Sequence, residues 1–144
     1  MDNLAELISE RIICRNLFGF AHAMDNKHWA AFDELATDDL QADFGEGLIK
    51  GRTQVVGVMR KYLEHCGVTQ HMLGNIIVDV NNDSAVSRAY VADMHLGKGE
   101  KNQLTFRTLG VYHDEWVQIG DNWLLSRRVK DNRETIGTLD VFSG

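Results

Sequence analysis

Apolar side chains in the first half of the chain recur every three or four residues, which is the spacing of an amphipathic helix. The first such stretch predicts a helix over residues 3–23, which the polar pair at 25–26 interrupts. Aspartate and asparagine are favoured N-caps, so a second, short helix is predicted to follow this pair and to end near Thr37. A third helix is predicted to begin near Thr53. The N-terminal half is therefore expected to supply three helices.

Beyond Gly67, runs of β-branched residues separated by turn residues replace the helical pattern. These runs predict four long strands, over residues 69–80, 85–96, 104–119 and 123–129. A weaker alternation over 40–44, followed by several glycines, predicts a short strand and a flexible connection. Residues 131–144 carry few apolar anchors and are predicted to form a C-terminal tail or arm.

The order of these elements predicts the fold class. Three helices followed by an antiparallel meander are typical of an α+β domain with the helices on one face of the sheet. Strands of a dozen residues are longer than average, so the sheet is expected to curl around the helices into a cone. We therefore predict a single domain over residues 1–144 with an internal pocket.

Composition narrows the classes of partner. The chain has 144 residues, of which 44% are hydrophobic, and a formal net charge of -6 that disfavours binding to nucleic acid. No apolar run approaches the roughly 18 residues that span a bilayer, so no membrane partner is expected. The N-terminus lacks the pattern of a secretion signal, and Cys14 and Cys66 fit no ligand spacing. We expect reduced thiols and a cytoplasmic location.

Motifs for cofactors are absent from the sequence. The histidines form no spacing such as His-Glu-x-x-His, and the glycine-rich stretch 45–51 lacks the ending of a phosphate loop. No dinucleotide fingerprint follows a strand, and no serine stands in a nucleophile elbow. We expect neither a metal nor an organic cofactor.

Four short segments together resemble the SnoaL-like branch of the nuclear transport factor 2-like superfamily. They are Ala23–Trp29, Thr69–His71, Gly110–Asp114 and Trp123–Arg128. The pattern extends from about Leu4 to Arg128 and is most similar to that of the scytalone dehydratases. This resemblance implies a cystatin-like cone, with three N-terminal helices packed on a curved, mainly antiparallel sheet.

The resemblance also implies a catalytic dyad, in which an aspartate ending the first helix pairs with a histidine starting a long strand. Asp25 and His71 occupy these two positions. Arg128, five residues beyond Trp123, matches an arginine that hexachlorocyclohexane dehydrochlorinases use. The relatives' phenol acid is missing, because Met24 stands in the place of one such tyrosine.

The chemistry of the dyad can be stated from the side chains alone. An elimination needs a base and an acid, and imidazole serves both purposes near neutral pH. His71 is the candidate base, and a hydrogen bond to Asp25 would fix its tautomer. The alternatives are that Asp25 only caps the second helix and that His71 is an ordinary sheet histidine.

Further candidates follow from the period of two along the strands. Tyr112 is a substitute phenol if its face points inward, and Asp114 shares that face. Arg128 is a candidate for binding an anion, or else a solvated strand end. The remaining candidate substrate-binding residues are Trp29, Phe44, Asn75 and Tyr90.

The sequence and the resemblance together predict a cofactor-free lyase, a dehydratase or a related enzyme of elimination. Its substrate is expected to be a small, hydrophobic, cyclic molecule that carries hydroxyl groups. A non-catalytic ligand-binding or assembly domain, or an isomerase, remains the alternative. Self-association as a dimer or trimer through the exposed face of the sheet is also expected.

Overall fold

A computed structural model describes all 144 residues and contains the three expected helices. Helix α1 spans Asn3–Asp25, and a 3₁₀ turn leads into the short helix α2, Phe32–Leu35. Helix α3 spans Arg52–Leu63. The second helix is shorter than predicted because the chain already enters the sheet at Ala36. None of the helices has the length and hydrophobicity needed to cross a membrane.

The sheet has six strands and is mostly antiparallel. The strands are β1 (Ala36–Asp43), β2 (Leu48–Lys50), β3 (Thr69–Asn81), β4 (Ser84–Leu96), β5 (Thr105–Ile119) and β6 (Asn122–Gly137). They lie in the order β2-β1-β6-β5-β4-β3, and only the β1–β6 pair is parallel. The α+β architecture and the curved, mainly antiparallel sheet that the sequence predicted are therefore confirmed.

Two segments differ from the sequence-based prediction. The glycine-rich connection contains β2, which pairs with β1 through Ala42 and Ile49. Residues 131–137, predicted as the start of a tail, instead continue β6 alongside β5, and a 3₁₀ turn at Leu139–Phe142 then packs Val141 into the core. Both segments are held by backbone pairing, which needs few apolar side chains and so leaves little trace in the hydrophobic pattern.

The inner face of the sheet is apolar at one end and polar at the other. On β4 the buried positions alternate with exposed ones and begin with Ala85, Ser87, Ala89 and Val91, of which only the small Ser87 is polar. The same face ends with Asp93 and His95, which are also buried. The helices cover the apolar end, where the core includes Trp116 and Trp123, while the polar end borders a cavity. Both cysteines are free, as expected.

The end of β6 depends on a glycine. Gly137 has φ +100°, and a Cβ there would overlap the backbone oxygen of Thr105. We expect Gly137→Ala to lower the free energy of unfolding by more than about 1 kcal/mol. Gly57, on the exposed face of α3, has open space around its Cβ position, so Gly57→Ala should instead raise stability by roughly 0.5–1 kcal/mol. Urea unfolding measures the stability of both variants. If Gly137→Ala and Gly57→Ala change the free energy of unfolding equally, Gly137 is not required by its backbone conformation.

Candidate active site

A cavity of about 880 Å³ lies between α3, the β1–β2 loop, the inner face of the sheet and the C-terminal turn. This volume suits a small organic molecule. Eleven of its 25 lining residues are hydrophobic, and the others include His71, Asp93, His95 and Lys130. The lining is thus more polar than a pocket for a purely hydrophobic ligand, and it favours a ligand that carries polar groups.

Asp25, the last residue of α1, binds β3 through both carboxylate oxygens. Its Oδ1 accepts from His71 Nδ1 at 2.6 Å and from the Thr69 hydroxyl at 2.9 Å. Its Oδ2 accepts the backbone N–H of His71 at 3.0 Å. A carboxylate is disfavoured at the C-terminal end of a helix dipole, so these three donors compensate for an unfavourable position. Asp25 therefore holds His71 and is not a helix cap.

The charge of Asp25 determines the tautomer of His71. Burial raises the pKa of Asp25, but the hydrogen bonds and charge of His71 and the Thr69 hydroxyl outweigh it, so the pKa lies below its ordinary value. An ionised carboxylate only accepts hydrogen bonds, so Nδ1 of His71 carries the proton. In the neutral imidazole, Nε2 is then the nitrogen that carries the lone pair and can act as a base.

A second polar group, which we call the Asp93 cluster, consists of Asp93, His95, Thr108 and Lys130. Asp93 Oδ2 accepts from Lys130 Nζ at 2.6 Å and from the Thr108 hydroxyl at 2.7 Å. Its Oδ1 accepts the backbone N–H of Thr108 at 2.9 Å. Burial raises the pKa of Asp93, but the charge and hydrogen bond of Lys130 outweigh it, so the pKa is lowered.

This cluster was not predicted from the sequence. Asp93 and His95 have the same strand parity as Val91, so the period of two along β4 already carried the signal. His95 Nδ1 lies 3.1 Å from the carbonyl oxygen of Phe106 and donates to it. Burial lowers the pKa of His95, although Asp93 partly opposes this, so its imidazole is neutral near pH 7. The rings of His71 and His95 meet edge to face, with centroids 5.4 Å apart.

One set of side chains has the spacing of a metal site. Donor atoms of His71, Asp93 and His95 lie within 4.8 Å of one another. However, Asp93 already accepts three hydrogen bonds, and the ammonium of Lys130 lies 2.6 Å from it. A second cation would have to displace these donors against charge repulsion. The set of His71, Asp93 and His95 is therefore a poor fit for a divalent metal.

Arg128 and Asp114, predicted as an anion-binding and a substrate-binding residue, pair with each other instead. Arg128 Nε and Nη2 each lie 2.9 Å from an Asp114 carboxylate oxygen, and both side chains are at most 1% exposed. The guanidinium lies between the rings of Phe20 and Tyr112, at 4.3 Å and 3.8 Å from their centroids. Neither partner lines the cavity. Arg128 is thus not a solvated strand end, and two of its five N–H donors hold Asp114.

Tyr112 does line the cavity, with its ring resting on Arg128. Burial raises the pKa of its phenol, partly opposed by Arg128, so the hydroxyl stays protonated at neutral pH. Phe44 lines the cavity as well.

The other candidates lie elsewhere. Trp29 stacks on Phe32 and donates to Glu64. Tyr90 is half exposed on the outer face of the sheet. Asn75 is exposed because a bulge between Gly74 and Ile77 breaks the period of two.

A cone of three helices and a curved sheet that encloses a polar cavity defines a protein of the nuclear transport factor 2-like class. Within this class, residues 5–129 match the SnoaL-like domain, and the chain belongs to that family. Uncharacterized proteins of Mycobacterium bovis and Mycobacterium tuberculosis are 30% identical over 132 residues, which cover 90% of this chain and 89% of theirs.

Solved structures share the fold at lower identity. One is a Novosphingobium aromaticivorans protein proposed to be a scytalone dehydratase, with a TM-score of 0.86 and 22% identity over 95% of this chain and 92% of that one. Another is a hexachlorocyclohexane dehydrochlorinase from Novosphingobium barchaimii, with a TM-score of 0.82 and 16% identity over 95% and 94%. At these identities the likeness shows the fold alone.

Removing one partner of the buried Arg128–Asp114 pair should affect stability strongly. Arg128→Met leaves an unpaired buried carboxylate, and we expect it to cost roughly 3–5 kcal/mol in urea unfolding. The double variant Arg128→Met with Asp114→Leu should recover most of this loss. Arg127 is the matched control, because its pair with Glu115 is exposed and Arg127→Met should change stability by less than about 0.5 kcal/mol. An Arg128→Met protein as stable as wild type would contradict the supporting role.

Asp25 should link folding stability to pH. Its pKa is lower in the folded chain than the value of about 3.9 for a free aspartate. The contribution of Asp25 to the free energy of unfolding is therefore fully present above about pH 3.9 and is lost as pH falls through the folded-state pKa. We expect Asp25→Asn to be less stable than wild type at pH 7, and the difference to shrink below about pH 4. Urea titrations across this range measure it, and a pH-independent difference would refute the assignment.

Proposed function

We propose that this protein is a cofactor-free lyase that eliminates water, or a related leaving group, from a small cyclic hydroxylated substrate. The observation that carries the proposal is the 2.6 Å contact between Asp25 and His71, which leaves one imidazole nitrogen free at a cavity of about 880 Å³. The fold shared with a hexachlorocyclohexane dehydrochlorinase supports an elimination, because that enzyme's name describes one.

In this mechanism, His71 Nε2 removes a proton from a carbon of the substrate. The electron pair of the C–H bond becomes the new double bond, the neighbouring C–O bond breaks, and the departing hydroxide takes the proton from His71 to leave as water. Asp25 holds the imidazole in place and stabilises its protonated form. His95 and Tyr112 line the same cavity as neutral polar groups that can orient the substrate.

Self-association belongs to the same proposal, as a homo-oligomer acting in the cytoplasm. The outer face of the sheet exposes several apolar side chains, including Met72, Val86, Tyr90 and Leu109. Such a patch is typical of a contact between protein chains. The non-catalytic alternative uses the same cavity and the same assembly, so only turnover separates it from the lyase.

The dyad is tested by turnover of a panel of cyclic β-hydroxy ketones and polyhydroxylated aromatic compounds. His71→Ala should reduce kcat by roughly 10²- to 10⁴-fold, the usual contribution of general base catalysis. Asp25→Asn should also lower kcat by orders of magnitude, because the amide loses control of the tautomer and of the charge. His113, an exposed histidine outside the cavity, is the matched control, and His113→Ala should keep wild-type rates.

Thermal melts of each variant separate a catalytic loss from a folding loss. A substrate whose turnover survives both dyad substitutions within a few fold would sink the proposed mechanism. A structural His71 would show itself by a lowered melting temperature as the main effect.

A further inference from the structure

Lys130 places a cation at the cavity, and one N–H donor of its ammonium has no partner in the protein. Its side chain is 11% exposed and lines the cavity that His71 also lines. The ammonium donates to Asp93 Oδ2 at 2.6 Å and to Thr108 Oγ1 at 2.8 Å. An ammonium has three N–H donors, so one remains for a ligand. We propose that Lys130 binds an anionic oxygen of the ligand, such as an enolate or phenolate oxygen.

The route of the Lys130 side chain depends on a missing side chain on the neighbouring strand. Lys130 is in register with Tyr112, whereas its ammonium reaches Thr108, two inward-facing positions further along β5. Gly110 is the inward position between them, and a Cβ there would lie 3.2 Å from Lys130 Cε. The stem of Lys130 thus passes over the glycine, and the absence of a side chain at Gly110 allows the charge to reach the cavity.

The Asp93 carboxylate engages only one of the three N–H donors of Lys130. The carboxylate of Asp93 is shared among three hydrogen bonds, two of them from the N–H and hydroxyl of Thr108. A charge-assisted hydrogen bond from the ammonium to an anionic oxygen is therefore still favourable in this mostly buried setting. The fixed position of Lys130 means that little reorganisation is needed when negative charge develops.

This inference rests on the proposed function for its catalytic meaning, and it defines the class of substrate. A proton that His71 removes beside a carbonyl leaves its electron pair on the carbonyl oxygen as an enolate, which Lys130 holds. Return of that pair expels hydroxide from the β-carbon, and His71 gives it the proton to form water. Substrates of this site are therefore β-hydroxy carbonyl compounds. In this way Lys130 takes the place of the phenol acid that is missing from the sequence.

Binding of para-nitrophenol tests the inference without turnover. The absorption band of the bound compound shows whether it is ionised, and an ammonium partner favours the phenolate. At a pH where the free compound is half ionised, binding to wild type should shift its absorption band towards that of the phenolate. Lys130→Met should bind phenolate roughly 10- to 100-fold more weakly, as expected for loss of a hydrogen bond to a charged group, and should lose the shift.

Matched variants make the outcome specific to Lys130. Lys61 is an exposed lysine at the same cavity, so Lys61→Met makes the same change of charge and should retain both binding and shift. His71→Ala should also retain the shift, which separates this test from that of the lyase mechanism. Should Lys130→Met fold poorly, the double variant with Asp93→Asn removes the unpaired carboxylate and should show the same loss.

Three results would overturn the inference. In the first, wild type does not bind para-nitrophenol at millimolar concentration. In the second, Lys61→Met weakens phenolate binding as much as Lys130→Met does. In the third, the absorption shift towards phenolate persists in Lys130→Met but is lost in His71→Ala. The last result would assign the anion to the dyad histidine. The two proposals can fail separately. If the absorption shift requires Lys130 but turnover does not require His71, the anion-binding site is supported and only the lyase mechanism is refuted.

Discussion

The attachment of the Asp25 carboxylate to β3 is the contact on which the rest of the site depends. A carboxylate at the end of α1 faces both partial burial and the negative end of the helix dipole, so it needs strong donors. Thr69 and His71 supply three, from two side chains and one backbone N–H. These bonds set where the end of α1 lies over the sheet, and they hold the His71 ring against His95. The same attachment that joins the layers therefore orients the imidazole.

Two buried ion pairs of similar chemistry serve different ends because they differ in what lies beside them. Arg128 and Asp114 are fully enclosed, and the guanidinium packs against the rings of Phe20 and Tyr112. Lys130 and Asp93 lie at the cavity wall, where the ammonium keeps an unused donor. A buried charge requires a partner in either setting, but only the second pair can also contact a ligand. This contrast explains why the arginine expected to be catalytic supports the fold, whereas an overlooked lysine faces the cavity.

Much of the fold could be predicted from the sequence, because the elements with a buried face carry a clear period. Helix α1 and the long strands β3 to β5 were expected within a few residues of their bounds. Strand β2 and the end of β6 were not, since their backbone pairing is independent of side-chain hydrophobicity. Asn75 shows the limit of parity, because one bulge turned outward a residue that a regular strand would have pointed inward.

For the candidate site, the sequence by itself determined the residue types and the likeness to a family that pairs Asp25 with His71. It also put Tyr112 and Asp114 on one face of their strand, because alternation along a single strand is local, and the structure decided that this face points inward. Only the tertiary structure decided that Lys130 reaches Asp93 over Gly110, and that Arg128 donates to Asp114. These contacts join different strands, and they depend on register, bulges and the length of a side chain across the sheet. A one-dimensional pattern holds the period of each element but not the distance between side chains of different elements, and that distance determines which charges meet.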